Sequence, residues 1–358
     1  MTDYEIHDIR HINEFKGITF SKYKLIDVKN ELIACINNNK IEKALYMSAE
    51  LICSGHFKEL WEIMLLVLGK NIHLANIKLP IYLKMKFETF KDILNGGYVD
   101  FEIKMRNNSK IRDLFAELII ILTYSNKKTT IERVKINKKE FDLTDLSGKL
   151  KADNVHYNKD VFYKEDPKEL FIAINEFCYN LIPTVSNMLN ACYWIEYVLE
   201  FENICNKKKI KCKCERRTFA QVSDKDQYDI IWIIWDALLQ QSTKKDKMIV
   251  KTMNSLLNLF SLRYSTSVKR KRIYLLYYAV SLITEPINYK TQVLLKNHTT
   301  LKQIKSKINL IYKEVKKNEE SPKTDYLFNN GISQKEKNLE KSIEKMEKMN
   351  NSNFIPRS

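Results

Sequence analysis

Glycine and proline are both scarce, seven and six in 358 residues. That leaves too few turn formers for a turn-dense β sandwich or a glycine-rich phosphate loop. Long apolar runs are also missing. The longest, residues 273–283, has eleven residues, and the runs at 114–122 and 230–239 are interrupted by Glu117 and Asp236. A membrane span needs about 20, so none is expected. The start, Met-Thr-Asp-Tyr-Glu-Ile-His-Asp, lacks the apolar stretch of a secretory signal. Seven cysteines, an odd number without regular spacing, fit a reducing compartment. The expectation is a soluble protein that is not secreted.

Arginine is the other shortage: of 60 cations only ten are arginine and 50 are lysine. The formal balance against 44 acids is +16, which favours polyanionic partners. Lysine contacts phosphate as a point charge, whereas bidentate reading of guanine prefers the arginine fork. What is plentiful is helical periodicity. Residues 25–36, 41–52 and 57–68 read as three successive helices with turns at Asn37-Asn38-Asn39 and Ser54-Gly55, a packed αα-hairpin pattern. A further helix over 109–124 is apolar on most faces. Residues 129–165 are polar and break the pattern, and are read as an irregular or β-hairpin connection. Asp166-Pro167 with Glu169 then predicts an N-cap and capping box. More helices follow at about 185–205, 225–241, 244–262, 268–284 and 299–317.

The expected architecture is mainly α, in two helical domains built from αα-hairpins, 1–128 and 166–317, joined by 129–165. A length of 358 residues agrees, since single cores rarely grow past about 250 to 300. A tail at 318–358 carries one marginal helix, 333–349, opened by Ser333 and Glu336.

The most informative stretch is 205–217, Cys-Asn-Lys-Lys-Lys-Ile-Lys-Cys-Lys-Cys-Glu-Arg-Arg, a basic loop between apolar helical patterns. Lys207, Lys208, Lys209, Lys211, Lys213, Arg216 and Arg217 are its candidate phosphate contacts. Cys205, Cys212 and Cys214 raise a zinc site, but structural zinc favours four ligands and Cys-x2-Cys hairpins, and the nearest fourth thiol is Cys192. A second cluster is Lys269, Arg270, Lys271 and Arg272. At a helix start these cations oppose the macrodipole unless an anionic partner neutralises them. Tyr264, Tyr274, Tyr277 and Tyr278 lie near enough in sequence to stack on unpaired bases. The apolar seam of 301–315 and the helix 333–349 are candidate surfaces for protein partners, and the lysine face of 302–317 is a third basic segment. Catalytic patterns are weak: Cys53 with His56 straddles a helix end, and Glu196 with Glu200 lacks any companion metal ligand.

Two resemblances attach to these residues. Cys53-Ser54-Gly55-His56-Phe57-Lys58-Glu59-Leu60-Trp61, Leu79-Pro80-Ile81-Tyr82-Leu83, Asp166-Pro167-Lys168-Glu169-Leu170-Phe171, Ala191-Cys192-Tyr193-Trp194-Ile195-Glu196 and Ile230-Ile231-Trp232-Ile233-Ile234-Trp235-Asp236 resemble a protein family of giant nucleocytoplasmic DNA viruses. That resemblance implies a viral setting, in host cytoplasm, viral factory, nucleus or virion, and no activity. Residues 41–130 are similar to the helical collar of clamp-loader-type AAA+ proteins, through Ala44, Tyr46, Gly55, Ile72, Leu74-Ala75-Asn76, Leu79-Pro80 and Ser125-Asn126. His56-Phe57 stands where that family has an acidic pair, and Trp61 and Glu62 where it has arginines. The resemblance implies assembly without nucleotide chemistry. The functional expectation is a non-enzymatic accessory factor contacting nucleic acid in replication, transcription or packaging; the alternative is a structural or adaptor protein without nucleic-acid contact.

Overall fold

The computed structural model describes residues 3–99, 101–290 and 305–320. Among them the chain is helical and has no sheet; its one extended pairing is an isolated bridge between Ile18 and Lys24. The α-helices are α1 (Leu25–Asn37), α2 (Ile41–Cys53), α3 (Phe57–Val67), α4 (Leu79–Asn95), α5 (Ser109–Tyr124), α6 (Leu143–Ser147), α7 (Phe171–Leu181), α8 (Met188–Lys207), α9 (Ile231–Thr243), α10 (Lys247–Ser261), α11 (Thr266–Lys271), α12 (Ile273–Thr284) and α13 (Ile308–Lys316). Residues 3–6 and the described residues within 11–318 make one compact unit, and 7–10 belong with 319–320 in a second. Within the second, Asp8 binds Arg10 and accepts the backbone N–H of Glu320 at 2.9 Å.

Local chemistry explains the hairpins of the first half. At the end of α2, Gly55 takes φ +76° and the N–H of His56 reaches back to the Leu51 carbonyl at 2.8 Å. This is the Schellman closure, which satisfies carbonyls left open at a helix end. Asn39, at φ +56°, does the same for α1, with Lys40 N–H on the Cys35 carbonyl at 2.9 Å. Both residues are ones that accept left-handed backbone. A π-helical turn, Leu68–Ile72, extends α3. Gly69 within it leaves no room for a side chain, because a Cβ there would lie 2.7 Å from the carbonyl carbon of Tyr274.

That close approach brings the two halves of the sequence together. α12 is buried along nearly its whole length, as its unbroken apolar sequence demands. It packs on the π turn, α8, α9 and α10, while α10 also packs on α4. Thr252 of α10 donates to the Ile77 carbonyl at 2.9 Å. Helices before and after 129–165 thus share one contiguous core inside the same compact unit. The 129–165 segment itself is irregular, holding only a short 3-10 turn (Lys138–Phe141) and α6, and forms no hairpin.

Two expected features differ, one a cap and the other an exposed seam. Helix α7 begins at Phe171, after a 3-10 turn, and Asp166 does not cap it; its carboxylate is buried against Arg217. The described part of the 301–315 seam is spent internally: Ile308 and Val315 of α13, with Tyr312, are buried where α13 packs on α2 and α5, and Arg112 lies 3.9 Å over the Tyr312 ring, while Leu301 and Ile304 lie outside the described residues. The helix expected at 333–349 lies outside the described residues.

Candidate nucleic-acid interface

Helix α8 presents the basic loop. Its 20 residues span about 30 Å, opened by the Asn187 side chain, which accepts the N–H of Asn190 at 3.0 Å. Tyr193, Trp194, Ile195, Tyr197, Val198 and Leu199 anchor it in the core. The far end closes as a Schellman turn: Ile210 N–H reaches the Cys205 carbonyl at 2.9 Å, and Lys209 N–H that of Asn206 at 3.1 Å. The residue in the left-handed position is Lys209, at φ +56°. Here a lysine stands where glycine or asparagine closes the other two helices, at a cost of order 1 kcal/mol.

Lys207, Lys208, Lys209, Lys211 and Lys213 are all exposed, and among the described residues none of them forms an ion pair. Lys213 extends over the Tyr228 ring, 5.8 Å from its centre. Ile210 is 55% exposed between them. Lys207 lies in the last turn, where cations suit the negative end of the helix.

The rest of the segment turns inward. Cys214 N–H binds the Tyr228 carbonyl at 2.9 Å, and Glu215 N–H binds Asp166 at 2.8 Å. Arg216 is exposed but paired with Asp224 at 2.7 Å and Gln227 at 2.6 Å. Arg217, expected as a phosphate contact, is buried. It pairs with Asp166 at 2.6 Å and Asp236 at 3.2 Å, donates to the Val161 carbonyl, and stacks 3.6 Å over Tyr163. Burial raises the Asp236 carboxyl above its ordinary range, with Arg217 pulling the other way.

Most of the second cluster lies still farther from solvent. Lys269, Arg270 and Lys271 occupy the last turn of α11, not the start of the next helix, so the macrodipole favours them. Lys269 is 0% exposed and donates to Glu202 and to both oxygens of Asp229, at 2.7 and 2.8 Å. Arg272 is buried on Glu62 and on the carbonyls of Phe260 and Leu262. Neither reaches a surface where phosphate approaches. Arg270 is half-buried and donates to the Leu199 carbonyl at 2.9 Å; Lys271 alone is exposed. Tyr277 and Tyr278 are buried, which removes them as stacking platforms.

Arg270 lines a cleft of about 460 Å³ along α8, together with Arg133 and Lys135 from the polar connection. Nothing in the sequence pattern pointed to these two. Arg133 is held there by Glu196 through two 2.7 Å hydrogen bonds, and Tyr277 donates to the same carboxylate at 2.7 Å. Glu196 is therefore an ion-pair partner, and Glu200 accepts from Asn203.

The three loop thiols do not converge. Cys205 and Cys212 contact each other, while Cys214 donates to the Asp229 carbonyl at 3.2 Å. Burial pushes Cys212 and Cys214 up to about 12, so both are protonated at neutral pH. No group of three metal-ligating side chains occurs among the described residues. Cys53 is buried, and His56 is tied through Nε2 to the Ile18 carbonyl at 2.8 Å. His73 is buried after the π turn, and burial, then Lys128, lowers it to about 4, which leaves it neutral.

The chain matches no family model, no curated protein and no solved structure.

Proposed function

We propose that this chain is a non-enzymatic accessory factor that binds nucleic acid through its phosphates, acting in replication, transcription or packaging of a large viral genome. The contacts are Lys207, Lys208, Lys209, Lys211 and Lys213. The observation that carries the reading is their common state: five exposed cations without counter-charges among the described residues, displayed on a closed turn at the end of a helix fixed in the core. Unpaired lysines in a row cost self-repulsion in the free protein, and a polyanion relieves it. Lysines without arginine forks hold phosphate and do not read bases, so binding is independent of sequence.

Electrophoretic shifts with duplex DNA, single-stranded DNA and RNA, repeated across salt, test this. Five neutralised phosphates give a log–log salt slope of about −4 to −5 on duplex DNA. The polymer retained at the highest salt identifies the partner. Affinity that is flat across salt for all three removes the proposal.

A further inference from the structure

Helices α4 and α10 pack side by side, and the furrow between their outer faces holds a cleft of about 530 Å³. The inner faces are consumed: Leu79, Leu83, Phe90 and Leu94 of α4, and Ile249, Met253 and Leu256 of α10, are in the core. A second apolar stripe remains outside. Ile81, Met85 and Val250 form the floor of the cleft, with Met85 54% exposed. Methionine there suits an adaptable contact surface. The rim is cationic: Lys84, Lys247 and Lys251 border the floor, and none forms an ion pair among the described residues. The single acid on the rim, Glu88, faces Lys91 of its own helix at 4.0 Å.

From this geometry we infer that the α4–α10 furrow docks an acidic amphipathic helix of a protein partner. A furrow between two packed helices is where a third helix seats its ridge of side chains. From Ile81 to Glu88, and from Lys247 to Ser255, the floor runs for about 10 to 12 Å. That matches two turns of an incoming helix, with aliphatic anchors at i, i+4 and i+7. The three lysines select aspartate or glutamate beside those anchors. A nucleic-acid backbone satisfies the lysines but leaves the aliphatic floor uncovered, so the charge pattern and the floor together favour a protein.

The test uses the full chain and two labelled helical peptides of about 16 residues, each with leucine at i, i+4, i+7 and i+11. One carries glutamate on the flanks and the other lysine. Fluorescence anisotropy is expected to give the glutamate peptide at least about tenfold tighter binding. Lys84→Glu/Lys247→Glu/Lys251→Glu, at two exposed lysines and the half-buried Lys84, is expected to invert that preference, and Met85→Ser to weaken the glutamate peptide about fivefold or more. Equal affinity for both peptides, or a preference that survives the charge swap, overturns the proposal. Displacement of the glutamate peptide by duplex DNA in the Lys207→Gln/Lys208→Gln/Lys209→Gln/Lys211→Gln/Lys213→Gln background assigns the furrow to nucleic acid and also overturns it. Sedimentation showing a dimer that Met85→Ser dissolves assigns it to a second copy, with the same consequence.

Discussion

The loop around Lys207–Lys213 and the cluster Lys269–Arg272 look alike as text, short runs of cations beside apolar helices, yet the fold treats them oppositely. In the loop, five lysines stand in solvent without counter-charges among the described residues. In the cluster, Lys269 and Arg272 are buried and saturated by Glu202, Asp229 and Glu62. Those partners come from 67, 40 and 210 residues away, out of reach of any local pattern. The lesson concerns what flanks a charge. Lys269–Arg272 adjoins α12, which has no polar face, so a cation at its edge is drawn into the core and needs an acid there. The lysine loop follows a finished helix and can point outward.

The comparison predicts a hierarchy of effects. Lys269→Met strands Glu202 and Asp229 as buried charges and is expected to cost about 3–5 kcal/mol in urea unfolding, as is Arg217→Met through Asp166 and Asp236. A loss under about 1 kcal/mol for either breaks the distinction between the clusters. Next comes a pH effect. Burial raises the Glu202 carboxyl above its ordinary value of 4.5, Lys269 offsetting only part of this, and Asp229 adds to the rise. The fold thus favours the protonated acid. That stabilisation is complete below about pH 4.5 and is lost as pH climbs through the folded value. Glu202→Gln, which keeps an acceptor for Lys269, should therefore gain stability relative to the native chain as pH rises above about 4.5. A difference that stays level or shrinks in paired melts contradicts the assignment.

Smaller effects separate conformation from charge in the loop. Lys209→Gly relieves the left-handed strain and is expected to raise stability by about 0.5–1 kcal/mol, while lowering the magnitude of the salt slope by about 0.9. Lys209→Gln should lower the slope alike without the gain in stability. Smallest of all, Lys271→Met, the exposed member of the buried cluster, is expected to shift stability by no more than about 0.5 kcal/mol.

The sequence displayed much of the helical frame because amphipathic stripes are local. The 109–124 helix was legible residue for residue, and those starting at Leu25, Ile41 and Phe57 to within a residue or so. Helix α4 escaped notice for a physical reason: Ile81 and Met85 add a second apolar stripe to Leu79, Leu83 and Phe90, which blurs the period. Asp166 misled because the same residue that makes a good N-cap is also the counter-charge of Arg217. At the candidate site, exposure of the lysines followed from a dense run of cations between two apolar helical patterns. The burial of Arg217, Lys269 and Arg272, and the arrival of Arg133 and Lys135 beside α8, depend on pairings between distant segments.

The most direct test of the central claim is the salt dependence of duplex DNA binding by the native chain beside the variant with glutamine at Lys207, Lys208, Lys209, Lys211 and Lys213. The account predicts a slope of about −4 to −5 for the native chain and a nearly flat line for the variant, which melts no lower than the native chain. A variant that retains the native slope would show that the loop is not the phosphate-binding surface.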